Sequence, residues 1–325
     1  MSISRQWLAG LCAAFAGLFV SAAAAQQYPQ RPIKMLLALP PGASVDALAR
    51  LLALKMSERL GQGVVVDNRP GGNMVIASQE VARSAADGYT LYFTMDQPIV
   101  ANQYLMSKLP YDPEKDFVPV GLLAEAFMVL TANPQKVPAK NLKELIQYAK
   151  ANPGKLSFGA GVLPAQIAGE LLKIATGTDI IYVPFKGGGP TQQAVLGGVV
   201  DLAITDITPV LPYIGSNNRL VAMGSISPRR LPLAPQVPTM TEQGYPDLDI
   251  TNWIGIMAPA GTPAPIVRRL NEEMVRAMNL PEVRERVIGF GLSPAPGTPE
   301  EMAARIKSDT GKWEKMVKAS GVRLD

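Results

Sequence analysis

Two kinds of group in this sequence are placed to do chemistry. The first is backbone: Gly187, Gly188 and Gly189 in VPFKGGGPTQQAVLGGVVDLAITD, residues 183–206. Residues without side chains ahead of a helix leave amide N–H groups open to an anion. The second is carboxylate: Asp96 and Asp206 each follow an apolar run. Such acids can serve as an acid–base pair, but no spacing relates these two. The chain has no histidine, and its single cysteine is Cys12. That removes Ser-His-Asp and Cys-His catalysis, zinc sites of His and Cys, and imidazole proton transfer. The glycine loop is not a P-loop, because Lys186 precedes the glycines and no Gly-Lys-Ser/Thr follows. A turn that binds nothing is the competing reading of the same residues.

The elements around the loop follow from patterning. Residues 180–183 read as a strand, Pro190 suits the first turn of a helix, and Gly197 and Gly198 end it. Residues 199–204 read as a buried strand that stops at Asp206. Upstream, strands at 33–39, 64–67 and 89–94 alternate with helices at 44–60 and 74–84, a βαβαβ pattern for a parallel sheet covered on both faces. A strand is expected at 121–131, crossing between domains. Helices are expected at 141–151, 166–176, 263–278, 281–290 and 299–320, and further strands at 156–159, 220–226 and 252–258. Ligands in open α/β sheets sit beyond the carboxyl ends of strands. The places that qualify are residues 40–44, 94–98, 159–166, the glycine loop and Asp206.

The amino terminus reads as an export signal. Arg5 precedes an apolar stretch over residues 7–20, and Ala23-Ala24-Ala25 forms a small-residue cleavage site. Residues 1–25 are therefore set aside as a cleaved signal peptide, which places the protein in the periplasm. The rest would contain no cysteine, hence no disulfide. Apolar content of 47% argues for a globular protein. A net charge of +4, with no basic cluster among aromatics, gives no support to nucleic-acid binding.

Several separated stretches together resemble one family: PPGASVDALAR (40–50), VVVDNRPGG (64–72), DGYTL (87–91), KLPYDPEKDFVPV (108–120), the glycine-loop unit, QVPTMTEQGYP (236–246) and APAGTPAPIVRRLNEE (258–273). They resemble the Bug-type, TctC-like solute receptors of tripartite tricarboxylate transporters. That resemblance implies a type II-like periplasmic-binding-protein fold: two α/β domains with a hinge and a ligand cleft between them. Mapped here, domain 1 is 26–124 plus 251–325 and domain 2 is 125–250. It implies a small carboxylate held largely by backbone amides and water, no cofactor, no metal and no catalysis. The implied partners are the membrane permease and, as an alternative, a sensor kinase. A monomer is expected.

Carried over residue by residue, the resemblance assigns Gly42, Ala43 and Ser44 to the first anion grip and Thr94, Met95 and Asp96 to its flank. Gly161, Val162, Leu163, Pro164, Ala165 and Gln166, with Phe185, Lys186, Gly187 and Gly188, line the second domain, and Asp206 faces the cleft. The chain also departs from the family pattern. Gly71-Gly72-Asn73-Met74 stands where Gly-Ala-Gly-Gly is usual, and Phe185 replaces a tyrosine. The cleft is thus expected to favour a ligand with an apolar or aromatic body, with Phe185 and residues 163–166 selecting it. Two acids beside an anion repel it unless water or protonation intervenes, so an amino-bearing carboxylate is the alternative ligand. Asp46 reads as a helix-terminal acid, Lys186 has solvent as its competing environment, and Phe185 has the core.

Overall fold

The computed structural model describes residues 28–42, 44–215 and 219–324. The expected signal peptide and Ala43 lie outside the described residues. Two sheets carry the fold. The first is built from β1 (Ile33–Leu37), β2 (Val64–Asn68), β3 (Thr90–Met95), β4 (Phe117–Ala126), β10 (Asn252–Pro259) and β11 (Leu292–Pro294), in the order β11-β4-β10-β3-β1-β2. The second has β5 (Met128–Ala132), β6 (Leu156–Ala160), β7 (Ile180–Pro184), β8 (Leu202–Asp206) and β9 (Val221–Ile226), in the order β7-β6-β8-β5-β9. Each sheet has a parallel part, β2-β1-β3 in one and β7-β6-β8 in the other, and antiparallel strands close it.

The helices follow the chemistry of their ends. Those of eight residues or more among the described residues are α1 (Ser44–Leu60), α2 (Val75–Ala82), α3 (Leu142–Ala151), α4 (Leu163–Thr176), α5 (Gly188–Leu196), α6 (Ala264–Met278), α7 (Pro281–Gly289) and α8 (Pro299–Ser320). At α8, Thr298 Oγ1 accepts the Glu301 amide at 3.1 Å while the Glu301 carboxylate accepts the Thr298 amide at 2.8 Å. That reciprocal cap, with Pro299 in the first turn and left-handed Gly321 at the end, fixes both limits. Asn141 caps α3 in the same manner, accepting the Glu144 amide at 2.9 Å.

One apolar cluster joins Leu36, Tyr92, Trp253 and Trp313 on the first sheet's side to Met128, Leu130 and Phe158 on the second's. A second cluster packs α1 and α6 on the opposite face of the first sheet, through Leu48, Leu52, Phe93 and Leu270. A third surrounds Val129, Val195 and Ile207. Between the sheets, Glu125 accepts Arg305 of α8 at 3.2 Å and Arg229 at 3.1 Å.

Three elements differ from the patterning. The strand expected at 121–131 is two strands broken at Phe127: β4 pairs with β10 and β11, then β5 pairs with β8 and β9 of the other sheet. The run passes from one sheet to the other, as the expected crossing requires, but its apolar residues do not show that it breaks in two there. The strand expected at 199–204 starts at Leu202, because Val199 follows the left-handed Gly198 and is 74% exposed. Helix α4 starts at Leu163, not at 166, so part of the expected ligand loop is a first helical turn, with Pro164 inside it.

Candidate functional site

A cavity of about 450 Å³ lies between the two sheets. It opens at the carboxyl ends of parallel strands from both. From the first sheet come Ala38, Leu39 and Pro40 after β1, Pro70, Gly71, Asn73 and Met74 after β2, and Met95, Asp96 and Gln97 after β3. Gly161 to Pro164 after β6, Gly187 and Gly188 after β7, and Asp206 at the end of β8 form the facing wall. Phe290 and Gly291 between α7 and β11, with Leu292 at the start of β11, complete it with Asn252 and Ala126. This is where two α/β halves offer helix amino termini to a ligand.

The amino termini of α1, α4 and α5 reach the cavity through Ser44 and Val45, Leu163 and Pro164, and Gly188. In α4 the first intrahelical bond is the Gln166 amide to Val162 O, at 3.1 Å, and in α5 it is the Thr191 amide to Gly187 O, at 3.5 Å. The amides of Leu163, Gly188 and Gly189 precede those bonds, so the helices leave them to an outside acceptor. Among the described residues, no lysine or arginine lines the cavity. An anion here is met by amide dipoles, not by a counter-charge.

The loops carrying these amides touch. A Cβ at Gly161 would lie 2.1 Å from Gly187 O, and the Gly187 amide donates to Gly161 O at 3.0 Å. Gly187 itself has φ +95°, while a Cβ there would meet open space. The Gly187 amide is thereby committed to its neighbour and is withdrawn from the expected grip. The Gly42 amide is committed too, donating to Asp46 Oδ2 at 3.1 Å. Asp46 also accepts Arg50 Nε at 3.0 Å and Asn68 Nδ2 at 3.0 Å. Burial pulls its pKa upward, but the bonds from Arg50, Asn68 and Gly42 outweigh it and hold the carboxyl below its ordinary value. Asp46 is thus a helix-terminal acid.

The two acids in the lining differ. Asp96 is fully buried, and neither carboxylate oxygen completes a hydrogen bond. Burial, reinforced by Asp309, pushes its pKa up to about 8; the amides of Gln97 and Asp96 and the charge of Arg305 only partly offset this. Asp206 is open to the solvent of the cleft yet enclosed by protein, and this desolvation raises its pKa to about 6. Among the described residues no group of acids, histidines or cysteines is arranged to hold a metal ion.

Of the residues expected from the sequence, the cavity brings together Ser44, Met95, Asp96, Gly161, Val162, Leu163, Pro164, Gly187, Gly188 and Asp206. Gly42, Thr94, Ala165, Gln166, Phe185 and Lys186 fall outside the lining. Thr94 is buried, with its hydroxyl on Met95 O at 3.1 Å. Ala165 is buried within α4, Gln166 is half-buried there, and Lys186 is exposed. Phe185 packs with the core around Val129 and Val195, and its ring lies over Gly159, where a Cβ would stand 3.0 Å from Cε2. The expected aromatic wall is therefore half-buried and outside the cavity lining.

The lining also contains residues that sequence reasoning missed, in particular Asn73, Met74, Phe290 and Leu292. Asn73 (φ +51°) and Met74 (φ +71°) are consecutive left-handed residues. Their carbonyls are anchored from below: Asn102 Nδ2 donates to Asn73 O at 2.9 Å, and Ser78 Oγ to Met74 O at 2.9 Å. The side chains at 73 and 74, in place of the usual glycines, were the available signal.

Residues 48–322 match the family described as the tripartite tricarboxylate transporter family receptor. The chain is 37% identical to protein BugT of Bordetella pertussis over 95% of this chain and 97% of BugT. Among solved structures it is similar to Rpa4515 of R. palustris with adipate, at 30% identity and TM-score 0.81, over 91% of this chain and 99% of that one. It is also similar to MatC of Rhodopseudomonas palustris with bound malate, at 32% identity and TM-score 0.77, over 89% and 100% of the two chains. The convergence of helix amino termini on a cleft between two sheets, the full-length relatives and the family match lead to one conclusion: this chain belongs to the tripartite tricarboxylate transporter receptor family.

Proposed function

We propose that this chain is a periplasmic receptor, not an enzyme, that captures a small carboxylic acid and delivers it to the membrane permease of a tripartite tricarboxylate transporter. One observation carries the reading: the amino termini of α1, α4 and α5 face one cavity whose lining holds no lysine or arginine. Amides ahead of the first helical bond accommodate a carboxylate without a counter-ion. The adipate and malate held by the two similar structures support the ligand class.

In this reading domain 1 comprises residues 26–124 and 251–325, and domain 2 comprises 125–250. The hinge lies at the two crossings, near 121–126 and 248–253. The break between β4 and β5 at Phe127 supports that division. Ligand favours the closed state because it touches both walls. The amides of Leu163 and Gly188, the Ser44 hydroxyl and the Asp206 carboxyl, through water, complete the binding set, and the protein works as a monomer exported by its first 25 residues.

Ligand-dependent melting tests the proposal. An acid at about 100 times its dissociation constant adds roughly 2.7 kcal/mol to stability. No shift with adipate, malate and aromatic monoacids would overturn it.

A further inference from the structure

We infer that Asn73 and Met74 select the ligand, Asn73 by hydrogen-bonding an oxygen on it and Met74 by covering its apolar body. The inference rests on the carboxylate-receptor reading and adds to it the side chains that discriminate among acids.

Both residues are in the cavity lining, and both have left-handed backbone angles, φ +51° and +71°. Asparagine tolerates that region through its short polar side chain, whereas methionine does not. A turn needing only the shape would be served better by glycine, which already occupies Gly71 and Gly72. Side chains kept where the backbone disfavours them mark a place where the side chain matters.

The turn is also over-determined. The Asn102 amide holds Asn73 O, the Ser78 hydroxyl holds Met74 O, and the Met74 amide donates to Gly71 O at 3.0 Å. Asn102 and Ser78 are fully buried, and Ser78 shares a 2.8 Å hydrogen bond with Tyr92. The turn is thus a braced platform at the cleft.

The chemistry of the two side chains is complementary. Asn73 is exposed and brings both amide donors and a carbonyl acceptor. Met74 is half-buried, an adaptable thioether against an apolar ligand body. The neighbouring Leu39, Leu163, Phe290 and Leu292 continue that apolar surface.

The test compares Asn73→Gly and Met74→Ala with the parent protein, titrated with adipate, malate and benzoate and melted without ligand. Glycine accepts the backbone angles of residue 73, so Asn73→Gly keeps or raises the unliganded melting temperature. Its dissociation constant for the oxygen-bearing acids rises about tenfold, the loss of one hydrogen bond. Met74→Ala changes the ratio of affinities among the three acids by about tenfold, the scale of lost apolar contact in a selective site. Wild-type affinities and ratios in both variants would overturn this inference while leaving the receptor reading in place. Failure of the parent protein to bind any of the acids would overturn the receptor reading, and this inference with it.

Discussion

The two walls of the cleft solve opposite problems. On the second-sheet wall, β6 and β7 lead into loops whose backbones touch, and a Cβ at Gly161 would stand 2.1 Å from Gly187 O. A side chain is excluded at Gly161, while Val162, Leu163, Pro164 and Asp206 of the same wall line the cavity. On the first-sheet wall, the turn after β2 keeps Asn73 and Met74 in left-handed conformations where glycine would be easier, and Asp96 is buried without a hydrogen-bond partner. One wall depends on a backbone contact that omits the side chain at Gly161, the other on side chains retained at a conformational or desolvation cost. A wall of amides recognises any carboxylate, while a wall of side chains distinguishes one from another.

The most disruptive way to break this contrast is to put bulk on the amide wall. Gly161→Val drives a side chain into the Gly187 carbonyl, and we expect a loss of about 3 kcal/mol in folding stability with no stabilisation by ligand. Gly187→Val meets open space. Its folding cost is therefore conformational, about 1–2 kcal/mol, while the side chain obstructs the anion site. Equal folding losses in the two variants, measured by denaturant unfolding, would dissolve the distinction between contact and grip.

The buried acid of the other wall comes next. With a folded-state pKa of about 8 against an ordinary 3.8, Asp96 stays protonated in the fold where the unfolded chain is ionised. Folding takes up a proton between those values, so stability associated with this group falls as pH rises from about 4 to 8 and is level outside that window. Asp96→Asn removes the titration. Its stability relative to the parent protein should rise from pH 5 to pH 8 by an amount on the order of a few kcal/mol. A pH-independent difference would mean that Asp96 is ionised in the fold.

The smallest effect sharpens the assignment of selection. Phe185 is half-buried against the core and outside the cavity lining, so Phe185→Leu should cost about 1 kcal/mol of stability and leave affinities within twofold. A change in ligand preference would return selection to the second-sheet wall.

Much of this frame was legible in the sequence because local chemistry dictates it. The limits of α8 follow from Thr298, Pro299 and Gly321, and the glycine loop from Gly187 and Gly188. Pro164 carried the same first-turn message as Pro299, and it moves the start of α4 into the cleft. What stayed hidden depended on partners. The crossing at 121–131 was expected, but an apolar run does not state that it breaks into two strands at Phe127. Gly42 and Gly187 do not reveal that their amides are bound by Asp46 Oδ2 and Gly161 O. Phe185 follows a strand as a ligand residue would, and only packing lays it against the cluster around Val129 and Val195, outside the cavity lining. Asn73 and Met74 show their strain only once the backbone angles are known.

The most direct test of the central claim is a crystal structure of the protein purified without refolding and soaked with the acid that shifts its melting most. We expect a carboxylate accepting hydrogen bonds from the amides of Leu163 and Gly188, with Asn73 and Met74 along the rest of the molecule. An acid held instead by a lysine or arginine side chain, or bound outside the cleft between the two sheets, would contradict it.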